Sequence, residues 1–235
     1  MILLNPPFFN ILKNLVPCLA LCWLISACST SQLPELRPYS PESTIELENR
    51  CQNIFLQENS QLVHALEVQL PGKNRSSVIG ITNVYPGERI LESVIMSIEG
   101  LVLFHARYSE ASKEIFKSID PFTSEQFSDG LLQDIQLIFL KPGVNLVHSG
   151  VTMDGTDICR YTNKNEIVDI LLLAKGNWVI NQYDRKKLIK SIQASDINAK
   201  VKSALNRYPG KLVLTHTGVF GYSLEMKLIR AELTK

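Results

Sequence analysis

The residues that usually announce chemistry are scarce. The 235-residue chain has four histidines and five cysteines. It contains no G-x-S-x-G elbow, no H-E-x-x-H, no phosphate-binding loop and no G-x-G-x-x-G, so the signatures of hydrolases, zinc proteases and nucleotide enzymes are missing. Charge of either sign is not in excess, with 24 Lys+Arg against 23 Asp+Glu, which gives no reason to expect a nucleic acid or another polyanion. The longest apolar stretch, Leu15 to Ala27, is interrupted by Pro17 and falls short of the roughly 20 residues a spanning helix needs. No internal repeat is evident.

The few candidate catalytic sets dissolve on inspection. His148 and Ser149, with Asp154 and Asp157, offer the atoms of a Ser-His-Asp set. Adjacent residues of a strand point to opposite faces, however, and Asp154 falls in an expected turn. Asp154-Gly155-Thr156-Asp157 lacks the further oxygen ligands that calcium requires. His64, His105, His148 and His216 are scattered in or beside expected strands and read as histidines satisfied within a sheet. No metal, cofactor or enzymatic activity is expected.

What is present begins at the N-terminus. One basic residue, Lys13, precedes the apolar stretch, and small residues follow it, as in a secretory signal. Leu24-Ile25-Ser26-Ala27-Cys28 resembles the bacterial lipobox, which implies acylation of Cys28 and removal of residues 1–27. Ser29 stands where an Asp would signal inner-membrane retention, so the resemblance implies anchoring to the outer membrane with the domain facing the periplasm. Removal of the signal leaves 208 residues, which reads as one monomeric domain at 46–235 behind a tether at 28–45. Pro34, Pro38 and Pro41 in that tether predict an extended spacer. Cys51 and Cys159 remain as an even pair in an oxidising compartment, either bridged or free.

The rest of the chain is strand-rich. Alternation predicts strands at Leu62–Leu70, Ser76–Val84, Ile90–Ile98 and Leu101–Tyr108, with Glu99-Gly100 as a type I′ turn. A short helix is expected near Glu46–Asn59 and a lesser one at Ala111–Ile119. Thr123-Ser124-Glu125-Gln126 predicts a capping box with Thr123 as N-cap. Phe127, Leu131, Ile135, Ile138 and Phe139 then recur at helical spacing until Pro142-Gly143. Strands resume after Gly143, turn at Asp154-Gly155, and continue at Ile158–Thr162, Ile167–Leu173 and Trp178–Tyr183. A polar helical piece is expected at Asp196–Arg207, before a last hairpin of Lys211–Thr217 and Tyr222–Ile229. The fold class is α+β: about nine to ten antiparallel strands in a curved half barrel, with two or three helices on its concave face.

Two segments carry a family resemblance. Leu132-Gln133-Asp134-Ile135-Gln136-Leu137, followed by Pro142, and Gly221-Tyr222-Ser223-Leu224-Glu225-Met226 resemble a bacterial outer-membrane lipoprotein family of the LolA/LolB-like superfamily, encoded near aryl-polyene and related fatty-acid clusters. The resemblance covers roughly residues 60–230. It departs from the family pattern at Leu140-Lys141, where an aromatic residue is missing. It implies handling of a lipid or an acylated protein, and no catalytic residues. Apolar residues expected to line a lipid site are Val94, Met96, Ile98 and Leu103 from the first strands, with Phe127, Leu131, Ile135 and Phe139 from the helix. The alternative is a structural or adaptor lipoprotein with a filled core.

Overall fold

The computed structural model describes residues 33–69, 72, 75–143, 145–163, 165–196, 208–217 and 221–234. Cys28, the expected signal and nearly all of the expected helix at Asp196–Arg207 lie outside these residues. Leu33–Lys235 forms one compact unit, which holds the whole sheet, the disulfide and both helices of the described residues.

Its frame is one open, curved, fully antiparallel sheet of thirteen strands. In chain order these are β1 (Leu36–Pro38), β2 (Ser60–Gln69), β3 (Ser76–Tyr85), β4 (Ile90–Met96), β5 (Val102–Tyr108) and β6 (Lys113–Ser118), then β7 (Asn145–Thr152), β8 (Asp157–Asn163), β9 (Glu166–Leu172), β10 (Trp178–Asp184), β11 (Lys187–Ser195), β12 (Lys211–His216) and β13 (Ser223–Leu233). The spatial order is β1-β7-β8-β9-β10-β11-β12-β13-β2-β3-β4-β5-β6. Two meanders, β2 to β6 and β7 to β13, are thus joined through the β13–β2 pair, and β1 and β6 are the edges.

The count exceeds the expected nine to ten strands. Lys113–Ser118 is an edge strand rather than part of a helix; five of its six residues are exposed, so no buried face imposes an alternation on its sequence. Lys187–Ser195 carries Lys190 on its inward row, which hides its period. Leu36–Pro38 pairs with β7, so chain assigned to the tether is already part of the sheet.

Two α-helices are present among the described residues. α1 (Pro41–Gln52) begins earlier than the sequence suggests, with a proline in its first turn, where the missing N–H costs no hydrogen bond. α2 (Glu125–Phe139) is capped by Ser124, not Thr123: the Ser124 hydroxyl accepts from the Phe127 backbone N–H at 3.4 Å. Both helices pack on the same, concave face, where Leu47 and Cys51 of α1 and Leu132, Ile135, Ile138 and Phe139 of α2 join one core with the strands. Cys51 and Cys159 form a disulfide, closing a separation of 108 residues. In the chain-entropy account such a closure stabilises by about 4.7 kcal/mol.

The β4–β5 turn is also not type I′. Gly100 alone has positive φ (+91°), and Gly100 N–H donates to Ser97 O while Ser97 N–H donates to Leu101 O. That is a three-residue loop ending in a left-handed glycine. Gly155, with φ +85°, ends the β7–β8 turn in the same way.

Candidate functional site

Strand register determines which side chains share the concave face. From β2 these are Leu62, His64 and Leu66, opposite Ala231, Leu228 and Met226 of β13. From β4 and β5 they are Leu91, Ser93 and Ile95 against Tyr108, Ala106 and Phe104. From β8 to β12 the row includes Cys159, Ile170, Ile180, Ile192 and Leu214. Nearly all are buried, and α2 covers the middle of the row.

The expected lipid-lining residues divide. Ile135 and Phe139 of α2 are buried in this core, and Leu131 packs against it half-buried. Phe127 meets Phe122 at 5.4 Å, and Phe122 meets Phe104 at 5.4 Å, so an aromatic run joins the start of α2 to β5. Val94, Met96 and Leu103, by contrast, alternate with the buried Ser93, Ile95 and Phe104 and therefore lie on the outer face. There Val94 and Met96 pair with Ile81 and Ile79 of β3. Ile98 stands in the β4–β5 turn and is 67% exposed. The reason is that neither row of β4 is uniformly apolar: Ser93 interrupts the inward row and Glu92 the outward one, so composition alone does not mark the buried side.

Polar groups interrupt the apolar wall at two places. Lys190 of β11 reaches Asp134 of α2, Nζ to Oδ1, at 2.6 Å, with side chains 7% and 2% exposed. Burial pushes the Asp134 carboxyl up, and Lys190 pulls it back down. Its Oδ2 is enclosed without a hydrogen-bond partner among the described residues. Lys190 sits between Gln182 of β10 and His216 of β12 in the register. The Gln182 amide donates to Glu166. His216 stacks on Tyr222 at 5.5 Å, and burial, with Lys190 nearby, holds its imidazole below the usual range.

The second place is His64. It is 1% exposed, its Nε2 has no hydrogen-bond partner among the described residues, and burial lowers its pKa to about 4. The imidazole is therefore neutral, and it is not the satisfied sheet histidine expected from the sequence. Its ring lies 6.1 Å from Phe139 and 6.0 Å from Tyr208. The Tyr208 hydroxyl is likewise enclosed, with no hydrogen-bond partner among the described residues. Sequence reasoning missed the Asp134–Lys190 pair, although a signal was there: Asp134 stands three residues after Leu131 and four before Ile138, inside the apolar stripe of α2.

The outer face is also closed, at one edge. Arg160 and Asp169 pair across β8 and β9 in a two-point fork of 2.7 and 2.8 Å, and Arg160 Nη2 donates to Pro34 O at 2.9 Å. The residues weighed as a catalytic set are not assembled. His148 is exposed, Ser149 donates to Glu48, and Asp157 accepts from Tyr39 and Arg50. Among the described residues no helix is long and apolar enough to cross a membrane.

No family model and no curated protein matches the chain. Solved structures do. A LolA superfamily protein from Nitrosomonas europaea matches 82% of this chain and 94% of its own, at 10% identity and a TM-score of 0.49. A structure described as an outer membrane lipoprotein-sorting protein domain, from Vibrio parahaemolyticus, matches 83% of this chain and 94% of its own, at 12% identity and a TM-score of 0.46. A DUF1329 family protein from Desulfovibrio piger matches 82% and 92%, at 11% identity and a TM-score of 0.46.

Proposed function

We propose that this chain is a lipid-anchored envelope protein that takes the apolar part of a lipid, or of a lipidated protein, onto the concave face of its sheet beneath α2. The observation that carries this reading is the unequal attachment of the two helices. α1 lies close against β7, β8 and β9 and is bonded to β8 through Cys51–Cys159. The backbone of α2 makes no comparably close approach to any one strand. Long apolar side chains and the Asp134–Lys190 pair bridge it to the wall. A helix held in that way can be displaced without breaking the sheet, and an acyl chain entering below it replaces the apolar contacts it gives up. Each methylene so removed from water is worth about 0.8 kcal/mol, enough for a single long chain to offset the displacement.

The anchor in this reading is Cys28, acylated after removal of residues 1–27, and Ser29 directs it to the outer membrane. The adaptor reading rests on the near-complete burial of Leu132, Ile138 and Phe139, which leaves the core filled in this state. The two part in one measurement. Residues Leu33–Lys235, purified without detergent, should carry lipid in native mass spectrometry or, once stripped, bind a fluorescent long-chain fatty acid and melt at higher temperature with it. A lipid-free protein that binds no such probe at micromolar concentration sinks the carrier reading and leaves the adaptor.

A further inference from the structure

We infer that Lys190 is a head-group site for an anionic amphiphile, and that Asp134 of α2 occupies this site when the ligand is absent. The inference rests on the reading that the concave face takes a lipid chain, and it adds the chemistry of the group at the end of that chain.

An ammonium on an apolar wall is unfavourable unless an anion meets it. Lys190 is 7% exposed, and the ion pair it makes among the described residues is with Asp134. That contact is made through one carboxylate oxygen; the other is enclosed with no partner among the described residues. Because Asp134 belongs to α2, the helix cannot leave the wall without taking the counter-charge with it. A neutral amphiphile entering below α2 would leave Lys190 buried and unpaired. An amphiphile ending in a carboxylate or a phosphate restores the pair, and so exchanges with Asp134 at little electrostatic cost.

A second observation points the same way. The β10–β11 turn, which leads directly into the strand bearing Lys190, carries Arg185 and Lys186, and Lys187 begins that strand; all three are exposed. Lys187 and Lys190 are separated by about 10 Å along the strand. The end of the sheet nearest Lys190 is therefore rich in cations, offset by Asp184 and Glu166. Such a rim raises the local concentration of anionic head groups.

The test uses residues Leu33–Lys235 and three probes: oleate, monoolein with the same chain and a neutral head, and oleoyl lysophosphatidate. The parent should bind at least one of the two anions about tenfold or more tighter than monoolein, as expected for a hydrogen-bonded ion pair made away from water. Tighter binding of both anions assigns the site to anionic heads in general, and of one alone to that head. Lys190→Met should bind monoolein as the parent does and lose the preference. Asp134→Asn should bind the anions more tightly than the parent, because the internal competitor is gone. If either single variant melts, Asp134→Asn with Lys190→Met removes both charges together and should bind all three probes alike. A parent that binds monoolein as tightly as both anions overturns the inference and leaves the carrier reading standing. So does a preference that survives in Lys190→Met or in the double variant. Failure of all three probes to bind removes the carrier reading, and this inference with it.

Discussion

His64 shows how a residue that looks ordinary in the sequence becomes exceptional in the fold. It sits mid-strand in β2, opposite Gly80 of β3 and Leu228 of β13, and burial alone lowers its pKa to about 4. The unfolded chain keeps the ordinary histidine value, so between pH 6.5 and about 4 the unfolded state binds a proton that the folded state refuses. The stability held by neutral His64 is complete above pH 6.5 and drains away as pH falls toward 4, by a total of about 3 kcal/mol. Urea titrations of the parent and of His64→Leu at pH 7 and pH 4.5 should show a larger loss of stability in the parent. Equal losses in the two proteins would mean that the ring finds a partner or charges without cost. Nothing local in Gln61-Leu62-Val63-His64-Ala65 announces this enclosure. It arises because Phe139 and Tyr208, far away in sequence, close over the ring.

Elements were legible where one face is buried and most of its inward row is apolar. β2, β3, β8, β9, β10 and β12 alternate visibly, and α2 shows a helical stripe because its underside meets the core. The edge strand β6 gave no such signal, since its Lys113-Glu114-Ile115-Phe116-Lys117 run has no buried side. In β11 the inward Lys190 broke the pattern, and in β4 the inward Ser93 and the outward Glu92 left the two rows alike. Register is an all-or-none property of a strand, because its side chains alternate with a period of two. With a polar residue on each row of β4, Val94 and Met96 were therefore assigned to the wrong face. For the candidate site, the part carried by α2 was readable and the part carried by β11 was not. The helix start offers a sharp check on element boundaries. Ser124→Ala removes the acceptor for the Phe127 N–H and should cost about 1 kcal/mol in a denaturant titration. Thr123→Ala should change stability far less. The reverse order of effects would return the cap to Thr123.

At the scale of the molecule, the path of the chain before α1 would set how a lipid on Cys28 holds the domain to a membrane. Pro34 is held on the outer face by Arg160, Leu36–Pro38 extends the sheet beside β7, and Pro41 already begins the helix on the inner face. The chain thus wraps one edge of the sheet, and the expected spacer of residues 28–45 shrinks to the few residues before Leu33. From Cys28 to Leu36 the chain is eight residues long, so it reaches at most about 28 Å. A lipid on Cys28 would hold the β1–β7 edge within that distance of the bilayer, too close for a freely swinging domain. Two or three acyl chains on one residue make such an anchor effectively permanent, whereas a single chain binds marginally. The full chain expressed in a diderm bacterium should therefore sediment with outer membranes, and the mass of its first peptide should match an acylated Cys28. Cys28→Ala should accumulate as precursor with residues 1–27 still attached and without that added mass. The domain itself should remain folded, because the residues of its core, from Leu47 to Ala231, all lie after the anchor. A Cys28→Ala protein that is cut and retained like the parent would show that the anchor lies elsewhere, and the reach of eight residues would then no longer limit how far the concave face can stand from the membrane.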